Sequence, residues 1–148
     1  MGVIYDMVYT FKKKHPSTVA WRLKKNSKVV EGYINTDEKV RYAFAAQYNE
    51  HWYDIFSTAV VALTSKRLLI GRKRVIIGSS YSYVTPDMFN DMLIYRGIFW
   101  GRIEIDTIKE HIVFTNVAKS ALDEIETAIS TFMMEEKKKY HAREDKPE

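Results

Sequence analysis

From Lys39 onward the chain alternates: Val40, Tyr42, Phe44, Ala46 and Tyr48 fall on one side of an extended segment, and Lys39, Arg41, Ala43, Ala45 and Gln47 on the other. This is the two-residue period of a β-strand. Asn49-Glu50-His51-Trp52-Tyr53-Asp54 reads as a hairpin connection to a second, largely buried strand over Ile55 to Thr64, where Phe56, Thr58, Val60, Val61 and Leu63 supply aromatic and branched bulk. Arg67 to Gly71 and Val75 to Tyr83 predict two more strands around the basic turn Arg72-Lys73-Arg74, with Val75, Ile77, Ser79, Tyr81 and Tyr83 sharing a face. Beyond the turn chemistry of Thr85-Pro86-Asp87, anchored by Met88 and Phe89, the segments Met92 to Tyr95, Phe99 to Ile105 and His111 to Phe114 complete a meander of short strands.

At Thr115-Asn116 the period changes to 3.6. Ala118, Ala121, Leu122, Ile125, Ile129, Phe132 and Met133 form one stripe, opposed by Asp123, Glu126, Thr127 and Ser130, which predicts an amphipathic helix. Short strands followed by one such helix form a stable unit when the helix covers an open face of a curled sheet. Three regions follow from this pattern: a partly helical extension over residues 1–34, a β-rich domain over 35–134 and a charged tail over 135–148, for which disorder is the expectation and extension of the helix by i to i+4 pairs such as Glu135 with Lys139 the alternative. Within the extension the expected helix starts after His15-Pro16, capped by Ser17, with Val19, Ala20 and Leu23 on one face and an interruption at Asn26-Ser27. A second short turn carries Val29, Val30 and Tyr33 up to Asn35-Thr36-Asp37.

Composition narrows the function classes. With 148 residues and 46% hydrophobic content, the chain can bury a core without a metal or disulfide staple. It has no cysteine, which removes thiolate metal sites, thiol catalysis and disulfides together and fits a reducing compartment. The segment Met1 to Phe11 is interrupted by Asp6 and followed by Lys12, Lys13 and Lys14, the wrong order for a secretory signal, and no apolar run reaches the ~20 residues of a membrane-spanning helix. A cytoplasmic protein, with peripheral contact to a membrane as the alternative, is the expectation. His15, His51, His111 and His141 have no ligand spacing, the serines lack a nucleophile-elbow context and Gly71 and Gly78 complete no phosphate-binding loop. No catalytic residue, metal site, cofactor or small-molecule substrate is predicted.

The charge is distributed in blocks. Lys12, Lys13, Lys14, Arg22, Lys24, Lys25 and Lys28 come without an intervening acid, as do Lys66, Arg67, Arg72, Lys73 and Arg74. A solvated, solubilising face is the commoner meaning of such blocks; contact with an anionic surface is the functional one. Nucleic acid is the less favoured partner, because Tyr81 and Tyr83 on an alternating strand are more often packing residues than stacking platforms. Trp52-Tyr53 and Phe99-Trp100 are the interface candidates, weighed against folding back over the sheet.

The stretch Ala62-Leu63-Thr64-Ser65-Lys66-Arg67-Leu68-Leu69-Ile70 resembles the T-x-x-R-L-hydrophobic hairpin of the bacterial pleckstrin-homology-like (PH-like) family. Gly101-Arg102-Ile103-Glu104-Ile105 is similar to its penultimate strand, and Ile112-Val113-Phe114-Thr115-Asn116-Val117 with Ala121-Leu122-Asp123-Glu124-Ile125 to its last strand and capping helix. The resemblance covers roughly residues 34 to 134. It implies a mainly β fold with α: a seven-stranded β-barrel of two near-orthogonal antiparallel sheets, capped by a C-terminal amphipathic helix. It also implies a non-catalytic adaptor platform of a kind that binds phosphoinositides, peptides or other proteins, and some members resemble ring-forming homo-oligomers. Protein binding or self-association is the expectation, and the basic extension Lys12 to Lys28 with the loop aromatics makes anionic lipid the alternative. Phosphoinositide-binding relatives of this fold gather Lys and Arg on the first two strands and their loop. Here Asn49 to Asp54 holds Glu50, Asp54 and no Lys or Arg, which argues against headgroup recognition.

Overall fold

A computed structural model describes residues 2–51, 53–73 and 78–144. Two helices, α1 (Val3–Lys14) and α2 (Leu23–Glu31), precede seven strands: β1 (Val40–Tyr48), β2 (Thr58–Thr64), β3 (Leu68–Lys73), β4 (Ser79–Val84), β5 (Phe89–Arg96), β6 (Trp100–Thr107) and β7 (His111–Ala118). A 3-10 turn, Lys119–Ala121, leads into α3 (Leu122–Glu144). The strands are antiparallel and ordered β4-β3-β2-β1-β7-β6-β5 in one curled sheet. Its two halves are joined by only two residue pairs, Gln47 with Thr115 and Tyr48 with Phe114. Beyond them Asn116 takes a left-handed conformation, φ 61, which turns β7 away from β1.

The inner face of the sheet and α3 share one core, in which Phe44, Phe114, Ile103, Ile105, Leu122, Ile125, Ile129 and Met133 are buried. A second core lies on the outer face of β1–β3, where Ala43, Ala45, Val60, Ala62 and Leu69 pack against Ile4, Val8, Ala20 and Val30 of the extension. Covering on both sides explains why all seven residues of β2 are buried, with none of the alternation of a one-sided strand. Phe11 joins the two cores: it belongs to α1 yet packs into the inner one, 6.0 Å from the Phe44 ring. Gly71 sets the approach of α2, since a Cβ there would stand 2.7 Å from Val30 Cγ2.

The extension differs from the expected register. Helix α1 ends before His15-Pro16 and α2 begins at Leu23, so Ser17 caps nothing and Val19 and Ala20 lie in the connection. The reason is the proline, which restricts its predecessor and ends a helix rather than opening one here. The spacing Ile4, Val8, Phe11 marks the earlier helix. Asn26 and Ser27 do not interrupt α2; both are buried within it, and Asn26 Oδ1 accepts the backbone N–H of Lys73 at 2.7 Å. At the other end, α3 continues as helix through 135–144, the alternative that charged pairs allow, rather than fraying there. A Glu136–Lys139 pair at 3.1 Å lies on this stretch, and such pairs offset part of the like-charge cost.

Candidate interaction surfaces

Folding divides the basic residues into two kinds. Lys66 pairs with Asp37, and Arg67 forms a fork on Glu38, Nη2 to Oε1 at 2.8 Å and Nε to Oε2 at 3.1 Å, while Nη1 donates to Tyr81 Oη. Burial pushes the Glu38 carboxyl up, but donation from Arg67, Thr64 and the Asn35 segment outweighs it and holds the group at about 2. Arg67 therefore ties the β2–β3 turn to the chain entering β1. Lys12 donates to the carbonyls of Pro16 and Thr18, and Lys14 reaches Glu124 at 3.0 Å.

The remaining cations converge, because α2 lies across β3. Arg22 Nη1 donates to Lys73 O at 3.4 Å, which brings the N-terminal end of α2 to the far end of β3. Arg22, Lys24, Lys25 and Lys28 are exposed along the helix, as is Lys73 beside it, and among the described residues none of these five is in an ion pair. Lys13 is exposed over the Tyr9 ring. Arg72 stands opposite Ser80 in the ladder and lines a cavity of about 150 Å³ with Tyr48 and Ser82; among the described residues its buried Nε has no hydrogen-bond partner. Arg72 and Lys73 are thus strand residues rather than a turn, and Arg74, with Val75 and Ile77, lies outside the described residues.

The aromatic candidates also separate. Trp52 lies outside the described residues. Tyr53 is 66% exposed and its ring stacks on His51 at 5.2 Å. Phe99 is 70% exposed, whereas Trp100 is half-buried and its indole N–H donates to Ser17 O at 2.7 Å, holding the α1–α2 connection. Sequence reasoning missed three groups. Trp21 is exposed, with its indole N–H on Ile55 O at 3.0 Å. Phe56, expected in a buried strand, precedes β2 and is 72% exposed. Leu93, Tyr95 and Ile98 are exposed on β5 and the β5–β6 turn. The signal for the last group was present: β5 carries apolar residues on both alternating faces, Met92 and Ile94 on one and Leu93 and Tyr95 on the other.

A polar cluster fixes the extension to α3. His15, only 4% exposed, contacts Ser120 Oγ through Nδ1 and Glu124 Oε1 through Nε2, both at 2.8 Å. Glu124 also accepts from Tyr42 Oη at 2.6 Å and from Lys14. Burial pushes the Glu124 carboxyl up, but these donors outweigh it and hold it below the usual range, while burial and the facing carboxylate push the Tyr42 hydroxyl far up. The order Ser120, His15, Glu124 is that of a proton relay, but the adjoining cavity of about 400 Å³ is lined by Glu124, Tyr42, Lys14 and the α1 residues Val3, Met7 and Phe11, with Ser120 outside it. The cluster is chemically suited to clamping. Among the described residues no group of three or more His, Cys, Asp or Glu could hold a metal ion, and no helix is long and apolar enough to cross a membrane.

Residues 34–131 match the family model of the bacterial PH domain. That is about two-thirds of the chain, and the chain belongs to this family. Among solved structures, a crystal structure of a pleckstrin homology domain from Shewanella amazonensis SB2B is similar at 15% sequence identity and a TM-score of 0.48, over 70% of this chain and 82% of that chain. No curated protein matches.

Proposed function

We propose that this bacterial PH domain is a non-catalytic interaction module that engages a protein partner, a second copy included, through β5 and the β5–β6 hairpin. The observation behind this is the run of exposed apolar side chains there: Leu93 48%, Tyr95 51%, Ile98 84% and Phe99 70% exposed, on a strand at the end of the sheet. Contiguous apolar surface of this kind is the usual trace of an interface. The test is the double variant Ile98→Asp/Phe99→Asp, followed by light scattering after size exclusion and by cross-linking pull-down. The expected result is loss of self-association, or of a reproducible partner, with unchanged melting. A wild-type chain that is strictly monomeric and recovers the same proteins as the variant overturns the reading.

A second reading is supported by a separate observation. Arg22, Lys24, Lys25, Lys28 and Lys73 surround the same α2–β3 face, with exposed Trp21 and Phe56 next to its N-terminal end. Cations near an anionic leaflet contribute roughly 1 kcal/mol each, and aromatic side chains seat at the interface. This is a peripheral attraction by charge. The β1–β2 loop carries no Lys or Arg with which to cradle a headgroup, and Asp54 caps its described part by accepting from Phe56 N and Ser57 Oγ at 3.1 Å each. Flotation with vesicles of neutral lipid and of about one-third anionic lipid decides the case. Anionic-only binding that Lys24→Glu/Lys25→Glu abolishes supports it; equal or absent binding refutes it.

A further inference from the structure

We infer that β5 pairs with β5 of a second copy, antiparallel, about a two-fold axis passing beside Ile94. The inference rests on the reading of β5 as the docking element and names its occupant.

The argument begins with the direction of the backbone groups. Gly97 N donates to Trp100 O at 2.9 Å where the β5–β6 hairpin closes, and the register continues through Tyr95 with Arg102, Leu93 with Glu104 and Asp91 with Asp106. Alternation then directs the amides and carbonyls of these odd-numbered residues at β6 and those of Met92, Ile94 and Arg96 away from it. The Met92 amide agrees, since it is bonded to the Asp91 carboxylate at 2.8 Å rather than to the ladder. A row of unsatisfied backbone groups on an edge strand is a template for another strand.

Side chains select the occupant and the register. A two-fold axis normal to the sheet keeps each face on its own side, so only residues of the same parity can stand opposite one another. With Ile94 opposite itself, Leu93 faces Tyr95 of the partner subunit and Met92 faces Arg96 of the partner subunit. Exposed apolar groups are then matched on the outer face, and on the inner face Ile94, which already packs on the inner core, meets its own copy and extends that core across the junction. About four main-chain hydrogen bonds form, and about six once each Met92 amide leaves the Asp91 carboxylate for the partner strand. With Leu93 opposite itself, Asp91 would face Tyr95 of the partner subunit, setting a carboxylate against an aromatic ring. Of these two registers the first is the one that sets apolar groups against each other on the exposed face, and it leaves Arg96 in reach of its ion-pair partner Asp123 at the rim, as an isologous interface with an apolar centre and polar edge requires.

The chain has no cysteine, so single cysteines report the register directly. In the inferred arrangement Leu93 and Tyr95 of the partner subunit form a non-hydrogen-bonded pair about 4.5 Å apart between Cα atoms, within disulfide range. Mild oxidation of a mixture of Leu93→Cys and Tyr95→Cys chains is expected to give the mixed disulfide, with at least five-fold less dimer from either chain alone. Light scattering is expected to show wild-type dimer forming between about 1 and 300 µM, and Leu93→Lys/Tyr95→Lys, at exposed positions, to weaken it at least ten-fold with unchanged melting. A wild-type monomer at about 300 µM overturns the inference, and so does preferential Leu93→Cys homodimer. If the monomeric wild type still loses a partner on Ile98→Asp/Phe99→Asp, the inference fails and the interaction-module reading stands; if it does not, both fail.

Discussion

Replacing Arg67 with glutamine removes the fork from a carboxylate whose side chain is fully buried: the Glu38 side chain is 0% exposed and that of Arg67 16%. After the change, Glu38 keeps Thr64 Oγ1 at 2.6 Å and the Asn35 N–H at 3.2 Å but no cation. Stranding one member of a buried pair costs about 3–5 kcal/mol; Arg67 is slightly open to water, so about 3 kcal/mol is expected. For a chain of this size that is a fall in Tm of roughly 6–12 °C. The pH dependence carries the stronger test. The folded Glu38 carboxyl is depressed to about 2, so in the wild type its contribution is complete above the ordinary glutamate value of about 4.3 and is lost as pH falls towards 2. In Arg67→Gln that contribution is missing, and the gap between the two melting temperatures should be largest above about pH 5 and close progressively below it. Circular dichroism melts from pH 3 to pH 7 measure this. A gap that is independent of pH, or worth less than about 1 kcal/mol, would refute the buried-pair account and return Arg67 to the surface as a binding cation.

Three further outcomes follow from the packing. Gly71→Ala places a methyl 2.7 Å from Val30 Cγ2; overpacking of this kind costs about 1–3 kcal/mol, and hydrogen exchange in α2 should quicken more than in β5. Phe11→Ala removes a 3% exposed ring from the inner core, with an expected loss of about 3–5 kcal/mol by chemical denaturation, far above that of an extension merely resting on the surface. His111 lies 2.6 Å from Glu104 Oε1, and donation to that carboxylate raises its pKa; an NMR titration should place it above about 6.5, and Glu104→Gln should bring it down.

The parts of the fold that could be read from the residues are those where one period dominates. The alternation from Tyr42 to Tyr48 and the stripe from Leu122 to Met133 each correspond to an element whose one face enters the inner core, whereas Val40, beyond a register shift, packs on the outer core, and Ala118 ends β7 before the helix begins. The extension was harder. Ile4, Val8 and Phe11 have helical spacing, but the outer face of β1–β3 that they cover is recognisable only once the register places Ala43, Val60 and Leu69 side by side. Small residues at Ala43, Ala45 and Ala62 were the trace of that covering, since a sheet face bearing alanines accepts a helix closely. Among the basic residues, composition alone could not separate Arg67 from Lys73. The distinction depends on which of them meets Glu38, 29 residues earlier in sequence, and contacts at that separation are set by strand register rather than by local pattern.

The covering of the sheet also decides where binding can take place and how it must be assayed. Over β1–β3 the outer face is occupied by α1 and α2, with Val60, Ala62 and Leu69 at most 0% exposed, so a partner cannot use it. The extension removes that face and offers in exchange the exposed cations of α2. Its connection is held to the rest by Trp100, Gln47 and Asn116 through Ser17 O, Val19 O and Val19 N, and the His15–Glu124 contact fastens it to α3. A shortened chain limited to residues 34–131 would uncover five buried apolar side chains, Ala43, Ala45, Val60, Ala62 and Leu69, in one patch. Such a patch promotes adhesion by itself, and an assembly or membrane signal from that fragment would report the exposed second core. Self-association through β5 and attraction through α2 are therefore properties to be measured on the full chain, where melting temperature shows that the extension is still docked.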